Sequence, residues 1–206
     1  MKCVIGVDLM RSTTSFFTIS VFEENDMKNA GKKFEQNFKQ SCEKDSVFCL
    51  RLTDSDLSFN PNKELRSRFT VKQPCDLIVY YKGFMFTLEL KNTKGKNFSF
   101  QRDLKVPDGM IHYHQINSLV NMGLYDGIIS GFVFNFRWGE ETGLPMERTF
   151  FLNINDFSKF MVESDKRSIN MNDIIEYGGV EIENIKRRTQ YTYKILDWLE
   201  KMVDKI

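Results

Sequence analysis

The 206-residue chain carries 29 Lys and Arg against 28 Asp and Glu, a net charge of +1, with 41% hydrophobic and 28% charged residues and 19 Phe. That length holds one sizeable domain with a Phe-rich core and leaves no room for a second full one, while the near-zero charge excludes a global field for polyanions, so any nucleic-acid contact rests on local basic patches. Cys3, Cys42, Cys49 and Cys75 lack the CxxC pairing of a zinc site, the start lacks the shape of a signal sequence, and no run approaches the roughly 18 apolar residues of a membrane span; reduced thiols, no membrane and a cytoplasmic location are expected.

In chain order, residues 3–9 and 14–22 read as an N-terminal hairpin, a separate extension over residues 1–28. AGKKFEQNFKQSC is helical, with Phe34, Phe38 and Cys42 at four-residue spacing on one face, and VFCLRLTD is a strand. The polar segment 55–73 reads as a loop or protruding arm with Arg66 and Arg68 in it. An apolar hairpin over 75–95 follows, then a basic loop with Lys94, Lys96, Arg102 and Lys105, then a helix from about Met110 to Met122 stopped by Gly123. IISGFVFNF is an interior strand with RTFFLNI as its partner, and NDFSKFMVES is a helix capped by Asn155 or Asp156. SINMNDIIEYGG is a short helix or turn, VEIENIKRRTQYTY a further hairpin, and KILDWLEKMVDKI an amphipathic terminal helix.

The chemistry concentrates in the apolar hairpin. A two-residue turn at Lys82-Gly83 makes paired positions sum to 165, which sets Asp76 across from Glu89 with Lys91 on the same face. Leu77, Val79, Tyr81, Phe84, Phe86, Leu88 and Leu90 form the opposite, core face. Two carboxylates that close repel unless a cation intervenes, and a divalent metal is the natural one; on these residues alone the set reads equally as a solvated cross-strand ion cluster. Gln115 falls on the apolar side of its helix, as a buried amide bonded to backbone or as a partner of a metal or its water. Glu35 sits beside the Phe34/Phe38 stripe, either as a surface acid near a helix start or within reach of the same site. His112 and His114, two apart on a helix, should splay away from each other.

Taken together, Pro74-Cys75-Asp76 and Glu89-Leu90-Lys91 resemble the PD-(D/E)XK nuclease superfamily. The order GKKFEQNF, acid hairpin, KNTKG, HYHQI, hydrophobic strand and FFLNINDF looks like the RecU-type Holliday-junction resolvases of phage and prophage, from about Asn29 to the C-terminus. The resemblance implies an α/β restriction-endonuclease-like core with a central mixed sheet flanked by helices, and a homodimer that nicks four-way DNA junctions with Mg²⁺ or Mn²⁺. It assigns metal binding to Asp76, Glu89 and Gln115, transition-state stabilisation to Lys91, and an accessory acid to Glu35. Family members often carry a metal-binding Thr two residues before the first Asp; Pro74, which has no side-chain oxygen, stands there, so that ligand is absent or is a backbone carbonyl or water. Arg66, Arg68, Lys94, Lys96, Arg102, Lys105, Lys186, Arg187 and Arg188 become phosphate-contact candidates, although each cluster alone also reads as a solvated face.

Two other readings compete. Asp8 ends a strand before a Ser/Thr turn, as in the first hairpin of RNase H-like folds, but Leu9 replaces the Gly expected there. A non-catalytic DNA-binding or assembly module on the same fold is the other, and the intact Asp76/Glu89/Lys91 set argues against it.

Overall fold

A computed structural model describes residues 30–52, 73–104, 109–137, 147–188 and 190–205. The expected hairpin at 1–28, Asp8, residues 55–72 of the arm with Arg66 and Arg68, and Lys105 lie outside the described residues.

Helix α1 spans 30–44. Strands β1 (Phe48–Arg51), β2 (Leu77–Tyr81) and β3 (Phe84–Thr93) follow, then β4 (Asn97–Ser99), α2 (Tyr113–Met122), β5 (Ile128–Phe136) and β6 (Arg148–Asn153). The remainder is α3 (Ile154–Glu163), β7 (Ser168–Asn170), α4 (Met171–Glu176), β8 (Val180–Ile182), β9 (Asn184–Arg187), β10 (Gln190–Tyr193) and α5 (Ile195–Val203). The main sheet runs β1-β2-β3-β5-β6-β8, and every neighbouring pair is antiparallel except β3 and β5. A parallel pair needs a long crossover, and the path through β4 and α2 supplies it. Element order α1-β1-β2-β3-α2-β5 on a mixed sheet flanked by helices is the restriction-endonuclease-like α/β arrangement.

The hairpin turn forms as its residues require. Lys82 and Gly83 both take positive φ, 46° and 88°, and Leu77 pairs with Leu88, so the register sums to 165 along the ladder. Alternation along the strands then sorts side chains to two cores. Leu77, Val79, Phe86 and Leu88 face one core with Phe34, Phe38 and Cys42 of α1 and Trp198 and Leu199 of α5. Phe132, Phe134 and Phe136 face the other, with Ile116 and Leu119 of α2 and Phe157 and Phe160 of α3. The sheet is therefore covered on both sides, which is why β5 reads as one continuous apolar run.

Gly131 on β5 is fixed by close approach. A Cβ there would lie 2.4 Å from the Leu152 carbonyl oxygen and 2.6 Å from the Phe151 ring. Gly131→Ala is expected to destabilise the fold by about 3 kcal/mol, since backbone and a packed ring cannot both give way. Thermal melting should register this as a loss of roughly 10 °C; an unchanged melting temperature contradicts the packing of β5 on β6.

Several boundaries differ from expectation. Ile111 forms a parallel bridge with Phe100, so α2 starts at Tyr113, later than Met110. Asn153, not Asn155 or Asp156, caps α3, its side chain accepting from the Asn155 amide. The basic loop contains β4, which pairs with β7, and the expected final hairpin divides: β8 joins the main sheet while β9 and β10 pair alone.

Candidate functional site

Helix α1 packs on one face of the sheet and α2 on the other, and between them at the rim opens a cleft of about 540 Å³. Its walls include Lys32 and Glu35 from α1, Arg51 from β1, Asp76 just before β2, Glu89 from β3, and His114 and Gln115 from α2. The fold thus gathers Glu35, Asp76, Glu89 and Gln115, from segments distant in sequence, around one space.

Glu89 is only 4% exposed. Lys91 lies 3.0 Å from its Oε1, and the Gln115 amide donates to the same oxygen. Among the described residues nothing donates to Oε2 of Glu89. Lys91 Nζ also donates to Gln115 Oε1 at 3.0 Å, and that oxygen accepts the His112 amide at 3.0 Å, which ties the site to the start of α2. Gln115 is therefore a connector between the acid–lysine pair and a helix terminus.

Asp76 departs slightly from the expected opposition to Glu89. The ladder ends at Leu77, and the Asp76 amide donates to the Leu88 carbonyl at 3.0 Å, one residue short of Glu89. The Asp76 carboxylate reaches past it and accepts the Leu90 amide through Oδ2 at 2.7 Å, which fixes the acid at the strand edge. On α1, Glu35 is bonded to the Arg51 guanidinium.

The carboxyls are electrostatically strained. Burial pushes Glu89 up to about 7, with the charges of Asp76 and Glu35 adding to the rise and Lys91 opposing it. Burial, then the charge of Asp76, raises Glu35 as well, against the pull of Arg51. Cys75 is pushed up to about 12 by burial and the neighbouring acids, so it faces the cleft as a neutral thiol.

The donor set fits a hard divalent cation. Among the described residues no three His, Cys, Asp or Glu side chains gather closely enough to enclose a metal. Two carboxylates with room for water and an open Glu89 oxygen suit Mg²⁺ or Mn²⁺, which keep part of their water shell, and the neutral Cys75 disfavours thiolate metals.

The sequence did not single out Arg51, Lys32 or His114 for this cleft. Arg51 is the charged residue inside an otherwise apolar strand candidate, a signal that its 16-residue distance from Glu35 obscured. The His112 and His114 rings do not splay; they stack at 5.5 Å and 11° because His112 caps α2 with extended backbone and is not in the helix. Arg102 is not presented to a ligand: its guanidinium donates to the carbonyls of Met161, Ser164 and Lys166 and closes the end of α3. Lys94 and Lys96 are exposed in the turn between β3 and β4, and Lys186, Arg187 and Arg188 are exposed on the separate β9–β10 hairpin.

Fold and cleft together define a mixed α/β protein of restriction-endonuclease-like topology with three acids, a lysine and an amide around a cleft at the sheet rim. No family model matches the sequence. The chain is 31% identical over 176 residues to the SPbeta prophage-derived uncharacterized protein YotM of Bacillus subtilis (strain 168), an alignment covering 80% of this chain and 82% of that protein, and it belongs to the family of YotM. Among solved structures it is similar to Archaeoglobus fulgidus Hjc, a Holliday junction resolvase, at 14% identity and a TM-score of 0.46, covering 73% of this chain and 95% of that one.

Proposed function

We propose that the protein is a metal-dependent, structure-selective DNA endonuclease that hydrolyses phosphodiesters at four-way junctions, acting as a homodimer in the manner of the RecU-type resolvases its sequence resembles. The observation that carries this reading is the buried Glu89, joined to Lys91 and Gln115 and facing a cleft shared with Asp76. A solvated surface ion cluster would leave that acid in water; here it is desolvated beside a second acid, an arrangement with a cost that a bound cation offsets.

Asp76 and Glu89 would hold Mg²⁺ or Mn²⁺, with Gln115 supporting Glu89. The bound cation supplies Lewis-acid polarisation of the phosphate and a lowered pKa for attacking water. Lys91 is pinned by two acceptors of the cleft wall, so its ammonium is already in place and meets charge growing on the phosphate without reorganising. Arg51 holds Glu35 at the cleft wall. Lys94, Lys96 and Arg187 are the exposed cations proposed to contact DNA phosphates; such contacts position a substrate without reading its sequence.

The test is cleavage of a labelled four-way junction and of a linear duplex of the same sequence, with Mg²⁺, with Mn²⁺ and with EDTA. Metal-dependent, paired nicks in the junction and at least about 10-fold slower cutting of the duplex are expected, a difference of about 1.4 kcal/mol in transition-state free energy. Equal cutting of both substrates demotes the protein to a general endonuclease, and cutting in EDTA removes the metal from the mechanism.

A further inference from the structure

A second pocket, of about 250 Å³, opens on the other flank of α1. At 100° per residue, Ala30, Lys33, Phe34 and Asn37 project on one side of the helix, while Lys32 and Glu35 of the acid cleft project about half a turn away. The sheet separates the two sites as well: Asn92 lines this pocket, and the adjacent Lys91 points to the opposite face.

We propose that this pocket takes one unpaired nucleotide, its phosphate held by Lys33, Arg137, Lys186 and Arg188, and its base set against Tyr191 with an edge at the Asn37 amide. Those four cations line the pocket, and among the described residues none of them forms an ion pair. A surface lysine cluster by itself is commonly just solvated. Two further observations distinguish this one.

The first is Asn37. It is 5% exposed and lines the pocket, yet its side-chain amide makes no hydrogen bond among the described residues. Its amide atoms are not sealed off and keep access to the pocket, and an amide presents both a donor and an acceptor, the pattern that pairs with a base edge. The second is a floor already organised by hydrogen bonds. Arg137 Nε donates to Asn92 Oδ1 at 2.7 Å, Asn92 Nδ2 donates to Asn135 Oδ1 at 3.1 Å, and Asn135 Nδ2 donates to Glu147 Oε1 at 2.6 Å. Tyr193 donates to that same Glu147 oxygen. Glu147 is the single acid among the described lining residues, against four cations, and its Oε1 accepts from Asn135 and Tyr193 in the floor.

Size and shape narrow the ligand. The volume lies just below the roughly 300–1,000 Å³ of drug-sized pockets, so it takes the phosphate and the inner edge of one base, leaves the rest of that nucleotide at the mouth, and excludes a duplex. Arg188 is held with φ at 51°, in the left-handed region that favours glycine, at the turn of the β9–β10 hairpin, so a strained backbone places its guanidinium at the rim. Tyr191 pairs across that hairpin with Lys186, whose Nζ lies 5.8 Å from the ring centroid, so an aromatic surface and a cation stand together where a base and its phosphate would. The phosphate ester has two sources, a single-stranded nucleic-acid segment or a free mononucleotide.

Binding in EDTA tests this without reference to cleavage, and therefore separately from the nuclease reading. Fluorescence anisotropy would compare a duplex bearing a five-nucleotide overhang with a blunt duplex of equal length, and dAMP would serve as a competitor. The wild-type protein should bind the overhang at least about 10-fold tighter than the blunt duplex, and the double variant Lys186→Ala/Arg188→Ala should bring the two within about twofold of each other. Its salt slope on the overhang should flatten by roughly 0.7 for each phosphate left without its cation. Asn37→Ala, checked for folding by circular dichroism, should narrow the preference, and Asp76→Asn should keep it. If no overhang preference exists but dAMP binds the wild type and not the double variant, the pocket serves a free nucleotide. Equal binding of both duplexes with no dAMP binding, or equal weakening of both by the double variant, overturns the proposal.

Discussion

Asp76→Asn is expected to lower metal-dependent cleavage by at least about 10³-fold, roughly 4 kcal/mol of transition-state stabilisation, while changing the melting temperature little. The separation of the two effects follows from what Asp76 does in the fold. Its Oδ2 accepts the Leu90 amide at 2.7 Å, and its main chain is bonded to Leu52 and Leu88. Asparagine retains a carbonyl oxygen for that amide and leaves the backbone bonds intact. What it removes is one negative charge beside Glu89, and with it the electrostatic basis for a divalent cation. Glu89 should even be relieved, because the neighbouring Asp76 charge contributes to its raised pKa. Rate measurement on a four-way junction, paired with thermal melting, checks both halves. Wild-type cleavage by the variant would remove Asp76 from the site, and if only Asp8→Asn is inactive, the RNase H-like reading takes its place.

The hairpin was legible because its turn chemistry and its alternation impose the same register. Gly83 supplies a positive φ that a tight turn needs, and a one-residue slip would turn the apolar set Leu77, Val79, Phe86 and Leu88 away from the core. The same register puts Glu89 and Lys91 on the face away from that core, toward Gln115 of α2. Asp76 was placed one step too simply, because the ladder ends at Leu77 and the side chain, not the main chain, completes the next bond to Leu90. Contacts between elements left no periodic trace: nothing local in GKKFEQNF or VFCLRLTD indicates that Glu35 meets Arg51. Arg102 shows the converse limit, since a cation in a basic loop looks the same in sequence whether it faces solvent or caps the end of α3.

Without a divalent cation, the protein should be more stable at pH 5.5 than at pH 7.5, and Glu89→Gln should largely abolish the difference. The folded pKa of Glu89 is raised from its ordinary 4.5 to about 7. Between those values the folded state holds a proton that the unfolded chain releases, so raising pH through this window costs stability. At 1.36 kcal/mol per pKa unit the span is on the order of 3 kcal/mol as an upper bound, and Glu35 shifts in the same direction. The Lys91 ammonium at 3.0 Å opposes this trend, but burial of Glu89 at 4% exposure outweighs it. A cation that binds the ionised acid reverses the dependence, because it has to compete with the proton below about pH 7 and meets a free carboxylate above it. Mg²⁺ or Mn²⁺ should therefore raise the melting temperature more at pH 8 than at pH 6, and Glu89→Gln should remove that increment at both. Wild-type stability that instead rises between pH 5.5 and 7.5 in EDTA, with no such rise in Glu89→Gln, would mean that Lys91 keeps Glu89 charged in the folded protein, and the cleft would then have no need of a second cation.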